Sequence, residues 1–309
     1  MDLGVHLPLL DFGGEGLSRG RLMDAVDAAR ENGFAAVSSN DHFVFARPWL
    51  DGPTALAAVL ERAAGIEVAT TVALPVLRGP VALAKALAAL DVLADGRLTA
   101  AVGPGSSRRD YELAGIAFEE RWKRFGEAVA VLRHLLRGEA VPSARFYPLG
   151  EVALEPAPAR EGGVPIWIGS WGSDAGLGRV ARLADGWLAS AYNTTPERFA
   201  AARSALEDEL GAQERDAASF PNALATMWTY VTDSREEAEK TLGTVLAPLL
   251  GREPDDLRER VCVGPPAHCA EVLSRYAAAG CERVYLWPLG DEARQLERIA
   301  REVWPAVAA

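Results

Sequence analysis

The chain holds only three cysteines, Cys262, Cys269 and Cys281, an odd number with no CxxC pair. They support neither a disulfide framework nor a zinc site and read as buried or idle thiols in a reducing cytosol. Histidine is scarce too: four residues leave little room for a His-rich metal site, and no carboxylate–histidine metal spacing occurs, so no metal is expected. No stretch approaches about 18 uninterrupted apolar residues, the length a membrane-spanning helix needs. The opening MDLGVHLPLLDFG has neither the basic region nor the long apolar run of a secretory signal. Surplus positive charge is missing as well: 32 Lys and Arg face 43 Asp and Glu, a net charge of −11. That balance argues against nucleic acid or an anionic membrane surface as a partner. The expected location is the cytoplasm.

Several motifs are absent. A dinucleotide-binding GxGxxG directly after the first strand is not there; that position reads Leu9-Leu10-Asp11-Phe12-Gly13-Gly14. No Gly-x-Ser-x-Gly elbow occurs, and no P-loop lysine, which excludes the usual machinery of nucleotide triphosphate hydrolysis.

What is present is a rhythm. Short apolar or β-branched runs (Leu3–Pro8, Ala35–Ser39, Glu67–Leu74, Leu98–Val102, Pro165–Gly169, Gly186–Ala189, Ala223–Val231, Arg283–Trp287) alternate with stretches of helical period. The helical stretches are Leu17–Asn32, Pro53–Ala64, Pro80–Leu93, Phe118–Leu136, Ser173–Leu183, Pro196–Leu210, Ser234–Leu249, Pro266–Ala279 and Glu292–Val303. Ser18 is placed to cap its helix, Pro196 and Pro266 sit where first-turn prolines are tolerated, and Glu236 and Glu237 suit the dipole after Ser234. Apolar strands separated by helices imply a parallel sheet covered by helices. Eight of them in this rhythm favour a closed (β/α)8 TIM barrel over an open sheet. With 49% hydrophobic and 24% charged residues the composition is ordinary, and one domain over 1–309 with loop insertions is expected. The main irregular stretch, Gly138–Val164, reads as a long connection with a small hairpin around Phe146–Leu154. The polar Leu250–Cys262 reads as cover for a barrel end.

Reactive groups of such a barrel gather at the C-terminal strand ends. The second strand runs into Asn40-Asp41-His42-Phe43, where a carboxylate and an imidazole suit proton transfer near neutral pH. The plain alternative is a turn-capping Asp41 and a packed His42. The third ends at Thr70-Thr71-Val72-Ala73-Leu74-Pro75, either a small-residue surface for a flat ring or an ordinary strand stopped by proline. The fourth ends at Gly103-Pro104-Gly105-Ser106-Ser107, permitting close backbone approach to a ligand or simply a tight turn. The fifth ends at Gly169-Ser170-Trp171-Gly172-Ser173-Asp174 before a helix. Free N–H groups there form a phosphate cradle, unless Ser173 or Asp174 merely caps. His134 reads as a surface group and His268 as structural. His6 either points into the site or packs. Trp167, Trp187, Trp228 and Trp287 read mostly as core.

These strand ends, in this order, resemble the bacterial-luciferase superfamily, which includes luciferase-like monooxygenases and enzymes dependent on the deazaflavin coenzyme F420. The resemblance runs over nearly the whole chain. It rests on Asn40-Asp41-His42-Phe43, Leu93-Ala94-Asp95-Gly96-Arg97-Leu98, Gly103-Pro104-Gly105, Glu119-Glu120-Arg121-Trp122, Pro165-Ile166-Trp167-Ile168-Gly169, Ala184-Asp185-Gly186-Trp187 and Val263-Gly264-Pro265-Pro266.

The resemblance implies an oxidoreductase with the ring of reduced FMN or F420 over the barrel mouth. It places Asp41 and His42 at the reactive edge, with His42 oriented by Asp41 as proton donor or acceptor. Thr71 and Val72 fall where the family often has a non-prolyl cis peptide under the ring. Gly103, Gly105 and Ser106 fall beside the cofactor tail, and Ser170, Trp171, Gly172 and Ser173 at its phosphate. Two departures matter. Luciferase-type enzymes have a histidine where this chain has Asp41, and deazaflavin sugar-phosphate dehydrogenases have a catalytic glutamate where it has Ser106. Hydride transfer with F420, to or from a small organic substrate, is slightly favoured over oxygen insertion with FMNH2 and a separate reductase. A flavin-binding protein without turnover is the third reading. A homodimer would be ordinary for such a barrel, and Phe12, Phe43, Phe45 and Trp49 hint at an apolar ligand.

Overall fold

The computed structural model describes residues 1–12, 16–141, 144–150 and 152–307. Nine strands form one parallel sheet: β1 (Asp2–His6), β2 (Ala36–Ser39), β3 (Glu67–Ala73), β4 (Leu98–Val102), β5 (Ile166–Gly169), β6 (Gly186–Ser190), β7 (Asn222–Val231), β8 (Cys262–Gly264) and β9 (Arg283–Pro288). β1 through β7 lie in order, and β9 closes the ring between β7 and β1. The result is the expected eight-stranded (β/α)8 barrel. Its outer helices are amphipathic: Arg19–Glu31 buries Leu22, Ala25, Val26, Ala28 and Ala29, and Ser18 caps it by accepting from the Arg21 N–H at 3.2 Å. Ser234 caps Arg235–Thr241 in the same way.

Two local expectations gain detail and one is corrected. Leu250–Cys262 does not simply cover an end; it contains the short helix Pro254–Arg258 and runs into β8, which extends the sheet from the far end of β7. A three-residue strand is too short to show a period. No strand occurs among the described residues of the connection, so the hairpin around Phe146–Leu154 is not formed there, Glu151 lying outside the described residues. Polar anchors hold the connection instead: Phe146 N–H donates to Glu127 Oε2, Arg160 N–H to Asp91 Oδ2, and Arg160 Nε to the Gly96 carbonyl. The helices expected over Ser234–Leu249 and Glu292–Val303 each carry one π turn, at Leu242–Leu246 and Ile299–Val303.

Inside the barrel, successive inward residues define its levels. The inner cluster comprises Ala36, Ala69, Ala101, Leu188, Ala223, Ala225 and Tyr285, with Trp167 packed against it. Two rings need glycine beneath them. A Cβ on Gly4 would lie 2.6 Å from the Tyr285 ring, and one on Gly186 would lie 2.4 Å from Trp167. Arg283 pairs with Glu67 (2.8 Å) and Asp2 (3.6 Å) at the N-terminal rim. Two residues further along each strand come His6, Ser38, Thr71, Gly103, Gly169, Ser190 and Trp287, the level that opens on the C-terminal mouth. β7 reaches it through a bulge at Thr226, whose φ is +57°, after which Trp228 stands in register with Trp287. The mouth therefore has a small, polar side on β2–β6 and an aromatic side on β7, β9 and β1.

Candidate active site

His42 follows β2 and is partly exposed, with 20% of its side chain accessible. Its Nδ1 lies 3.0 Å from Oδ2 of Asp110, a carboxylate buried to 2%. The other oxygen of Asp110 accepts from the Val44 N–H at 2.9 Å. One carboxylate thus fixes both the ring and the loop that carries it. Burial by itself would raise the Asp110 carboxyl, but the hydrogen bond from His42, those from the Val44 and Phe43 N–H groups, and the His42 charge outweigh it and hold it below the ordinary carboxylate value.

The expected partner, Asp41, is not the one that orients His42. Asp41 turns instead to Arg78, whose Nε and Nη2 donate to its two oxygens at 2.5 and 2.7 Å, and Arg78 also pairs with Asp51. A buried carboxylate requires a full counter-charge, and the bidentate guanidinium supplies one that a neighbouring imidazole does not match. Burial lowers the Arg78 pKa, yet the two carboxylates together raise it. Asp51 also caps Gly52–Val59, accepting from the Thr54 N–H at 3.0 Å. A Cβ on Gly52 would lie 2.3 Å from the Asn40 carbonyl, so the loop closes tightly on itself. Asp41 is therefore a strut of the loop.

On β3 the Thr71–Val72 peptide is cis, at the irregularity in the β3–β4 register. Thr71 Oγ1 donates to Ser38 Oγ at 3.1 Å. The Val72 side chain lies over Gly103 and Gly169: a Cβ on either would sit 2.9 or 3.1 Å from it. Gly103 is thus small because Val72 occupies the space above it. Gly105 has φ +81°, which glycine tolerates, and Ser106 beside it is exposed. Ser107 caps Arg108–Leu113, the helix that carries Asp110.

At β5, Ser170 is buried and its Oγ accepts from the Gly172 N–H at 3.3 Å. Gly172 has φ +88°, Trp171 is 60% exposed, and Ser173 caps Asp174–Leu183 by accepting from Gly176 N–H. Ser173 Oγ is therefore engaged as a cap. The loop and the first-turn N–H groups remain shaped for an anion, although Asp174 in that turn opposes one.

Sequence reasoning named Phe12, Phe45 and Trp49 but read Trp228 and Trp287 as core, so half of the aromatic side was missed. Trp228 and Trp287 stand 4.8 Å apart, Trp49 lies 6.5 Å from Trp287, and His42 lies 4.9 Å from Trp49 and 5.0 Å from Phe45. Trp187 is core, as expected. Asp110 and Arg78 were missed as well, since an acid in a helix's first turn and an arginine after a proline carry no distinctive pattern.

His6 does point inward, stacked on Trp287 at 3.6 Å with its Nε2 3.1 Å from Asn40 Oδ1. Burial is the dominant influence and holds its pKa down at about 3, against the weaker pull of the Asn40 hydrogen bond. The unfolded chain binds a proton near pH 6.5 that the folded one refuses until about 3. Stability from this group is complete above 6.5 and is lost as pH falls, by at most about 1.4 kcal/mol per pH unit. His6→Gln should flatten the decline in urea midpoint between pH 6.5 and 4. An unchanged slope would show that His6 is not its source.

A family model described as luciferase-like monooxygenase matches residues 3–283. The chain belongs to this family. Among its relatives, the F420-dependent glucose-6-phosphate dehydrogenase of Rhodococcus erythropolis is 24% identical over 93% of this chain and 94% of that protein. The corresponding enzyme of Beutenbergia cavernae is 27% identical over 91% of each. Uncharacterised proteins of Mycobacterium bovis and Mycobacterium tuberculosis are 35% identical over 113 residues, and the chain spans only 38% of their length. Two solved structures share the fold. The monooxygenase RslO1 from Streptomyces bottropensis gives a TM-score of 0.84 at 22% identity over 99% of both chains. An F420-dependent secondary alcohol dehydrogenase in complex with an F420–acetone adduct gives 0.86 at 18% identity over 99% of this chain and 98% of that one. In this luciferase-like chain, His42, Thr71, Val72, Gly103 and Ser170 all stand at the C-terminal ends of neighbouring strands, with Asp41 held by Arg78.

Proposed function

We propose that this chain, acting as one domain, is a two-electron oxidoreductase that holds a reduced flavin-type cofactor over the barrel mouth and acts on a small organic molecule. The observation that carries this reading is His42 held by Asp110 at the edge of a mouth that is flat and small on one side and aromatic on the other. The residues fit such a cofactor. Val72, with Gly103 and Gly169 packed beneath it, offers a low surface for a planar ring, and Ser170 and Ser173, whose oxygens accept from Gly172 and Gly176 N–H, keep their O–H groups for an anionic tail.

The bound cofactor supplies the redox chemistry, a hydride in the F420 case or reductive activation of oxygen in the FMN case. The chain's own part is orientation and proton handling. With Nδ1 tied to Asp110, Nε2 is the His42 nitrogen left to exchange a proton with substrate. F420 is favoured because F420-dependent relatives match over more than nine-tenths of this chain. Their sugar phosphate is not carried over, since Ser106 stands where those enzymes place a catalytic acid. The competing FMN reading draws on the word monooxygenase in the family model's description, and a separate reductase is proposed with it. The cytoplasm remains the proposed location and a homodimer the proposed assembly. Among the described residues no helix is long and apolar enough to cross a membrane.

The test is spectroscopic. Titration with F420, FMN and FMNH2, followed by fluorescence quenching, should show saturable binding of F420 in preference to FMN. Oxygen consumption with FMNH2 and candidate substrates separates the two chemistries. Failure of every one of these cofactors to bind would defeat the proposal.

A further inference from the structure

The mouth contains donors that the protein does not use. Nε1 of Trp49, Trp228 and Trp287 is buried in each case with no acceptor among the described residues, and the three indoles form one contact chain. Trp228 and Trp287 are each only 4% exposed. The buried indole of Trp187 is satisfied by contrast, its Nε1 donating to the Ser170 carbonyl at 3.1 Å. A buried donor without a partner costs about 1–3 kcal/mol, and a cluster of three at the mouth adds nothing to a core. Phe12 stands edge-on to Trp228 at 5.7 Å and Phe45 to Trp49 at 4.7 Å, so the surroundings of these N–H groups are aromatic.

Charge is directed elsewhere. Asp110 is committed to His42 and Val44, and Arg47 lies at the periphery, 5.9 Å from the Phe12 ring with its Nη1 3.4 Å from the Asp11 carbonyl. An ionised ligand entering the indole cluster would lose its hydration for neutral donors only, a poor exchange. A neutral oxygen on an apolar body has the opposite balance.

We propose that the indole N–H groups of Trp228 and Trp287 select the substrate class: an uncharged, ring-sized apolar molecule bearing a carbonyl or hydroxyl oxygen. This deepens the oxidoreductase reading and rests on it for the word substrate, but the binding preference can be measured without turnover.

The probes are acetophenone, cumene and benzoate, which present a neutral ketone, a hydrocarbon of similar shape and an anion. Binding to the full chain is followed by calorimetry and tryptophan emission, with and without F420 or FMN. Acetophenone should bind about three- to tenfold tighter than cumene, the worth of one net hydrogen bond. Trp228→Phe and Trp287→Phe keep a ring while removing the donor, and at least one should bring that ratio close to unity with cumene affinity unchanged. The infrared carbonyl stretch of bound acetophenone should be lowered in the wild type and less so in the same variant. Trp49→Phe provides a third variant should either of these not fold. An equal ketone-to-hydrocarbon ratio in the wild type and all folded variants would overturn the proposal, as would benzoate binding best or no probe binding. Cofactor titration is read separately, so loss of cofactor binding with the ketone preference intact defeats the oxidoreductase reading and leaves this one standing.

Discussion

His42→Gln should lower kcat by about 10²- to 10⁴-fold while the cofactor Kd moves by less than about threefold. The reasoning is geometric. The ring is anchored through Nδ1 to Asp110 and held against Phe45 and Trp49, so its other nitrogen is kept at the mouth at little entropic cost. Glutamine retains polarity and approximate length but cannot exchange a proton near neutral pH. The measurement is steady-state turnover with the cofactor and substrate pair that the titrations identify, alongside a cofactor binding isotherm for each protein. If kcat is unchanged, His42 is a packed residue. If Kd weakens as much as kcat, the ring holds the cofactor and transfers nothing.

Asp110→Ala should be the most damaging change away from the reacting atoms. It strips the partner from His42 Nδ1 and leaves the Val44 N–H without its acceptor, so stability should fall by about 2–3 kcal/mol and kcat by about 10²-fold. Asp110→Asn separates the two effects. Its carbonyl oxygen can keep the Val44 N–H, but its NH2 would donate to Nδ1, imposing the other tautomer without the carboxylate charge, so stability should largely return while turnover stays low. Urea denaturation and kcat read the two independently, and an Asn variant with wild-type turnover would remove Asp110 from any positioning role. The wild-type carboxyl is held below its ordinary value, so its contribution is present above about pH 4 and is lost as pH falls through the folded pKa. Both variants should lack that acid-side component.

The fold was legible because its signal is repeated. Eight apolar runs spaced by amphipathic helices leave few alternatives to a closed barrel, and the run at Leu98–Val102 and the helix at Pro80–Leu93 fall on the expected residues. β8 was invisible because three residues carry no period. Odd residues at strand ends drew attention to His42 and the Ser170–Ser173 turn, whereas the cis Thr71–Val72 peptide was expected from the family resemblance alone. The wiring of the site was not legible. Asp41 is adjacent to His42 in sequence, yet its side chain leaves for Arg78, whereas Asp110 arrives from 68 residues away through the turn of a six-residue helix. Adjacency along a chain says little about which carboxylate an imidazole meets. The aromatic wall was recoverable in principle. Trp287 lies two residues beyond the inward Tyr285, and a strict alternation places both on the lumen side.

Tyr285 over Gly4 and Trp167 over Gly186 stopper the barrel at its foot. On the proposed function, reactant, product and a planar cofactor would all use the opposite, C-terminal end, and their traffic would be sequential. Two glycines, by admitting two large rings, close the foot of the barrel to a ligand.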